Sequence, residues 1–199
     1  MKNSLITIVF FAIGIVVGLL SLLPSVFYKS NLSEYALYIL MFLVGISVGG
    51  DPKIWKTLRS FNLKIILVPI SIIVGSLIGG IIASLSLQNL SVKEGMAVSA
   101  GFGYYSLSSI IITKFYSETL GVVALLSNMA REIVTLLISP LLARYFGKLA
   151  PIASGGATAM DTTLPIITMS VGKNYAIISI FSGVVLTILV PFIVIFIIR

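Results

Sequence analysis

One carboxylate, Asp161, stands in the middle of an apolar run, inside the stretch GGATAMDTTLP from Gly155 to Pro165. A charge at bilayer depth costs at least ~2.5–3.5 kcal/mol, so it is tolerated where it faces a polar cavity, meets a cation or takes up a proton. Gly155, Gly156 and Pro165 favour a break in the helix there, and Thr158, Thr162 and Thr163 offer hydroxyls beside it. The plainer reading is a threonine-bonded kink or cap near a membrane edge. A second constellation is SNMAREIVT, where Asn128, Arg131, Glu132 and Thr135 fall at i, i+3, i+4 and i+7 and so share a helix face. Arg131 is suited to pair with Asp161 or with a bound carboxylate, and Glu132 to face a cation. Its plainer reading is an internal ion pair that fixes packing. The third is SAGFGYYSLSS, Ser99 to Ser109. Gly101 and Gly103 let the chain unwind or approach a partner closely, and Tyr105, Ser106 and Ser108 follow. A half-helix starting there would aim free N–H groups at an anion, and the plainer reading is close helix packing through small residues.

The elements that must carry these residues are membrane helices. Of 199 residues, 58% are hydrophobic and 10% charged, against about 25% charged in a soluble domain. Seven hydrophobic segments are expected, at about 4–23, 33–49, 63–85, 92–115, 119–146, 150–171 and 173–198. Each is near the ~20 residues that cross a hydrocarbon core. The fourth and sixth are interrupted by the glycine-rich motifs, and the seventh contains Pro191. The run Leu5–Leu23 is too long for a signal-peptide core and has no cleavage site, so it is taken as a membrane helix. The fold class expected is an all-α polytopic membrane protein in one domain, 1–199. Two segments are broken or re-entrant, as in inverted-repeat transporters whose substrate sites lie at discontinuous helices.

Composition also excludes chemistry. The chain has no cysteine and no histidine, which removes disulfides, thiol catalysis and the usual zinc sites. Six scattered carboxylates do not suggest a divalent-metal cage, and no metal or organic cofactor is expected. The net charge of +7 does not imply nucleic acid, because Lys53, Lys56, Arg59 and Lys64 crowd one short loop, as in a cytoplasmic membrane loop. With that loop inside, the N-terminus is cytoplasmic. The C-terminus is outside whether the interrupted segments both span or both re-enter. Asp51-Pro52 ahead of IWKTLRS suits the cap of an interfacial helix, with Trp55 at headgroup level. An intramembrane aspartyl protease needs two aspartates, one in a Gly-x-Gly-Asp setting. Val48-Gly49-Gly50-Asp51 lacks the first glycine, so the chain is not expected to be an enzyme.

GFGYYSLSS, the Asn-x-x-Arg-Glu of NMARE, and GGATAMDTTLP, with YILMFLVGIS in the second segment, together resemble the signature blocks of the LysO-type bacterial lysine exporter family. The likeness runs in the same order over most of the chain. It implies export of L-lysine, and of analogues such as thialysine, across the cytoplasmic membrane. It further implies ion-gradient-driven antiport, with H+ or Na+ as coupling ion, and a functional aspartate at Asp161. On this resemblance Asp161 and Glu132 would bind an ammonium. Arg131 or the helix ends around GFGYYS would bind the carboxylate, with Asn128, Thr158, Thr162, Thr163, Tyr105, Ser106 and Ser108 around them. Full-length members carry about three further N-terminal spans, so this chain is expected to match their C-terminal two-thirds. It would then work with a small N-terminal-half membrane partner or as a homo-oligomer. The competing expectations are a non-catalytic subunit of a two-component transporter and a carrier for another small amino acid or cation.

Overall fold

A computed structural model describes residues 63–87 and 89–199, together with positions 13, 16–20, 35, 39, 42, 46 and 50. The expectations for the basic loop, for Asp51 and Trp55, and for most of the first two segments lie outside the described residues. Among the described residues all regular structure is helical. The helices are α1 (Leu63–Ser86), α2 (Val92–Ser99), α3 (Tyr105–Phe115), α4 (Glu118–Phe146), α5 (Ala150–Gly155), α6 (Leu164–Val171) and α7 (Ala176–Ile198). 3-10 turns occupy Gly156–Met160 and Lys173–Tyr175.

Three of these elements are long and apolar enough to cross a membrane: Ile65–Ser86, Glu118–Phe146 and Lys173–Ile198. They coincide with the third, fifth and seventh expected segments. Pro69, Pro140 and Pro191 lie inside them without ending them, because neighbouring helices and local adjustment re-satisfy freed backbone groups in a bundle.

The fourth and sixth segments are broken, and both turn back on themselves. Ser91 caps α2 in a reciprocal box with Glu94. At the far end of the segment, the Tyr116 hydroxyl donates to Glu94 Oε1 at 3.0 Å. Had α2 and α3 run on in one direction, their ends would stand about 28 Å apart at 1.5 Å per residue. The segment therefore folds back as a helical hairpin with its tip at Ala100–Tyr104. The sixth segment does the same from the other end of the bundle. Lys148, just before α5, lies over the Tyr175 ring just before α7, at 5.5 Å. Ile152 of α5 packs with Ile167 and Val171 of α6 in one cluster, against which Ala143 near the end of α4 is packed. The larger core forms between α7 and the first hairpin, through Leu186, Val190 and Val194 against Phe102, Leu107 and Ile111. The two hairpins thus enter from opposite faces, separated by the length of α4.

Candidate functional site at the meeting of two hairpin tips

The tips touch through backbone. The Ala157 amide donates to the Phe102 carbonyl at 2.8 Å. Such an approach demands a residue without a side chain opposite Phe102. Gly156 has φ +61°, and a Cβ there would overlap the Phe102 carbonyl oxygen. On the other side, a Cβ at Gly103 would stand 3.0 Å from the Gly155 carbonyl oxygen. Phe102 itself adopts φ +48° and is fully buried. A bulky residue held in the left-handed region by its surroundings is a mark of functional backbone.

Helix α4 holds both breaks with two residues one turn apart. Asn128 Oδ1 accepts the Gly103 amide at 2.8 Å, and its Nδ2 donates to Val98 O at 3.0 Å and Ala124 O at 2.9 Å. Arg131 donates from Nε to Ser154 O at 2.8 Å, from Nη2 to Ala153 O at 2.9 Å and from Nη1 to Ser76 Oγ at 3.0 Å. Asn128 therefore closes the carbonyl end of α2, and Arg131 that of α5, where a helix end is negative and a donor or cation is favoured. The donors of Arg131 run to these carbonyls and to Ser76 rather than to Asp161. Thr135 extends the same face, bonding Arg131 O at 2.8 Å and Ser154 Oγ at 2.7 Å. All four residues of the expected α4 face point inward, with Glu132 at 1% exposure and Thr135 fully buried.

Asp161 follows the 3-10 turn and precedes α6, and it is exposed. Its Oδ1 accepts the Thr162 amide. The exposed Asp161 after the 3-10 turn and the buried Glu132 of α4 make a pair of carboxylates on elements that meet at the tips. A bound cation is drawn to such a pair, and so is a proton. The three threonines divide. Thr158 Oγ1 bonds Gly155 O at 2.9 Å and lies 3.3 Å from Thr163 Oγ1, so both are spent on the turn. Thr162 Oγ1 is buried without a hydrogen-bond partner among the described residues. Ser108 Oγ is bonded back to Tyr104 O at 2.9 Å, and Ser106 O accepts from Ser109 Oγ at 3.3 Å. Tyr105 begins α3, whose first turn has no side-chain cap. A Cβ at Gly101 would meet Asn128 Nδ2 at 2.6 Å and Ser108 Oγ at 2.7 Å. Pro165 sits in the first turn of α6, where its missing N–H costs nothing. Among the described residues no group of His, Cys, Asp and Glu could hold a metal ion.

Three contributions were not anticipated. Ser76 and Ser154, each a lone serine in an apolar run, anchor the Arg131 and Thr135 end of the clamp. Ser179 of α7 donates to Ala159 O at 2.7 Å and steadies the 3-10 turn from behind. Gly80 and Gly95 bring α1 against α2 so closely that a Cβ at Gly95 would lie 2.8 Å from Ser84 Cβ. The small-residue run IGG in α1 is the sequence signal for that contact.

Comparison with known proteins shows the family. The family described as "Lysine exporter LysO" matches residues 8–198, and the chain belongs to that family of membrane exporters, which are not enzymes. With three helices long and apolar enough to cross a membrane, it has the make-up of a multi-pass membrane protein. It is similar to the Escherichia coli (strain K12) protein "Lysine exporter LysO", with 34% identity over 184 residues, covering 92% of this chain and 60% of that one. It is also 34% identical over 184 residues to the Haemophilus influenzae protein named "Putative lysine exporter", covering 92% of each. The chain thus spans about three-fifths of the length of the E. coli relative. No solved structure matches it.

Proposed function

We propose that this chain exports L-lysine across the inner membrane, with Asp161 and Glu132 receiving an ammonium group at the tips of the two hairpins. The observation that carries the reading is an exposed carboxylate, Asp161, at the break between the 3-10 turn and α6, together with a buried one, Glu132, on the α4 face that holds both breaks. Membership of the exporter family and the names of both relatives supply the substrate. Export proceeds by alternating access, in exchange for H+ or Na+ moving inward, and extends to lysine analogues such as thialysine. A proton or sodium ion and an ammonium take turns at Asp161. The working unit contains either a second copy of the chain or a small N-terminal-half membrane partner.

The orientation proposed puts the start of α1 and the Lys148–Tyr175 end inside. Arg144, Lys148 and Lys173 flank α5 and α6 at that end, in keeping with the excess of Lys and Arg on cytoplasmic loops. The C-terminus then lies outside. The test is uptake of radiolabelled L-lysine into inside-out vesicles carrying this chain, with and without an imposed gradient. Accumulation that follows the gradient is expected, and Asp161→Asn should abolish it. Equal uptake by a correctly inserted Asn variant would sink the role given to Asp161 and favour a non-catalytic subunit.

A further inference from the structure

A cavity of about 300 Å3 lies between α1, α2 and α4, reaching from Arg131 at mid-membrane toward the end of the bundle where α1 passes into α2. Its volume is at the lower end of the ~300–1,000 Å3 typical of small-molecule sites. Gly79, Gly95 and Val98 form apolar wall, while Ser76, Ser127 and Arg131 bring polar atoms to its inner end. Asp161 and Glu132 are not part of the lining. The guanidinium has five N–H donors, of which one each on Nε, Nη1 and Nη2 are bonded within the protein. Two, one on each Nη, have no acceptor among the described residues. Among the described residues no carboxylate pairs with Arg131, whose acceptors are two carbonyls and a hydroxyl. A cation so placed, with donors in hand, is suited to a planar anion.

We infer that this cavity is a second ligand site, distinct from the Asp161–Glu132 pair, and that it takes the carboxylate of a free amino acid at Arg131. The amino-acid part of the assignment rests on the transport reading above; the anion part stands on the cavity itself. A lipid headgroup is the other source of such an anion. Arg131 lies near the middle of α4, about 20 Å from either end at 1.5 Å per residue. Headgroups sit at the edges of a hydrocarbon core ~30 Å thick, so a small soluble anion fits this depth and a headgroup does not. The polar inner end and apolar wall suit a carboxylate followed by a short hydrocarbon chain.

The test uses the full chain in phosphatidylcholine nanodiscs, with displacement of labelled L-lysine as the readout. The probes are norleucine, which keeps the carboxylate and lacks the terminal ammonium, and 1,5-diaminopentane, which lacks the carboxylate. Gly79→Leu is the deciding variant. Gly79 lines the cavity and a Cβ there meets nothing within 4 Å, so a leucine has room to enter it without displacing the partners of Arg131. The expected result is norleucine affinity at least tenfold weaker in Gly79→Leu and in Arg131→Gln, with the diamine unchanged within twofold in Gly79→Leu. Norleucine binding to Gly79→Leu as to the parent overturns the proposal. So does norleucine affinity that falls when phosphatidylglycerol is added, which marks a headgroup occupant. If labelled lysine does not bind the parent chain, norleucine is measured directly by calorimetry. Binding that Gly79→Leu removes then upholds the cavity while the lysine reading fails; no binding overturns the proposal.

Discussion

Asn128 does more for the site than a polar residue in a membrane helix ordinarily does. It satisfies an amide and a carbonyl on the two sides of one break, at Gly103 and Val98, while fully within the bundle. Asn128→Leu keeps the volume, takes the side-chain donor from Val98 O and orphans the Gly103 amide, and a buried group left unpaired costs roughly 1–3 kcal/mol. A fall of several degrees in the thermal midpoint in detergent is expected, and an unchanged midpoint would show that the break holds without it. Gly156→Ala should be as damaging for a different reason. Its Cβ must occupy the place of the Phe102 carbonyl oxygen in a backbone conformation that costs a non-glycine residue roughly 1–2 kcal/mol. Lysine uptake and thermal midpoint should fall together. For Asp161→Asn, by contrast, uptake should be lost with the midpoint nearly intact, since its side chain is exposed and accepts the amide of the neighbouring Thr162, which an asparagine oxygen can also accept. The chemistry-bearing residues were legible because carboxylates and an arginine within apolar runs have few harmless explanations. The use of Arg131 was not legible, since its acceptors are main-chain carbonyls of α5, more than twenty residues away, which no side-chain pattern announces.

At the scale of elements, the three long helices could be read directly from hydropathy, and the breaks from Gly101, Gly103, Gly155 and Gly156. Whether the broken segments span or re-enter could not be read. Each has enough apolar residues for either course, and the choice is made by contacts between its own ends, Glu94 with Tyr116 and Lys148 with Tyr175. The re-entrant course has a direct test, because the chain has no native cysteine. Lys93→Cys and Glu118→Cys should react with a membrane-impermeant maleimide from one face only. Lys148→Cys and Lys173→Cys should react only from the opposite face. Labelling of Lys93→Cys and Glu118→Cys from different faces would mean that the fourth segment crosses the membrane.

For the whole molecule, α1, α4 and α7 form a frame into which the hairpins are inserted from opposite sides. With the Lys148–Tyr175 end inside, Arg199 emerges outside. Alkaline phosphatase fused after Arg199 should be active and a fluorescent protein at the same place dark, and the reverse pattern would invert the proposed orientation. The frame also bears on electrical tightness. Where the tips meet, the Ala157 N–H to Phe102 O hydrogen bond ties one hairpin directly to the other. A conformation that parted the tips with nothing else closed would be a conduit for ions, and the membrane potential would drain through it. Turnover must therefore carry the two tips as one body or seal one side before they separate. Ala157→Pro deletes that one donor and no side chain of consequence, so a standing current through this variant in planar bilayers would be the signature of a lost seal.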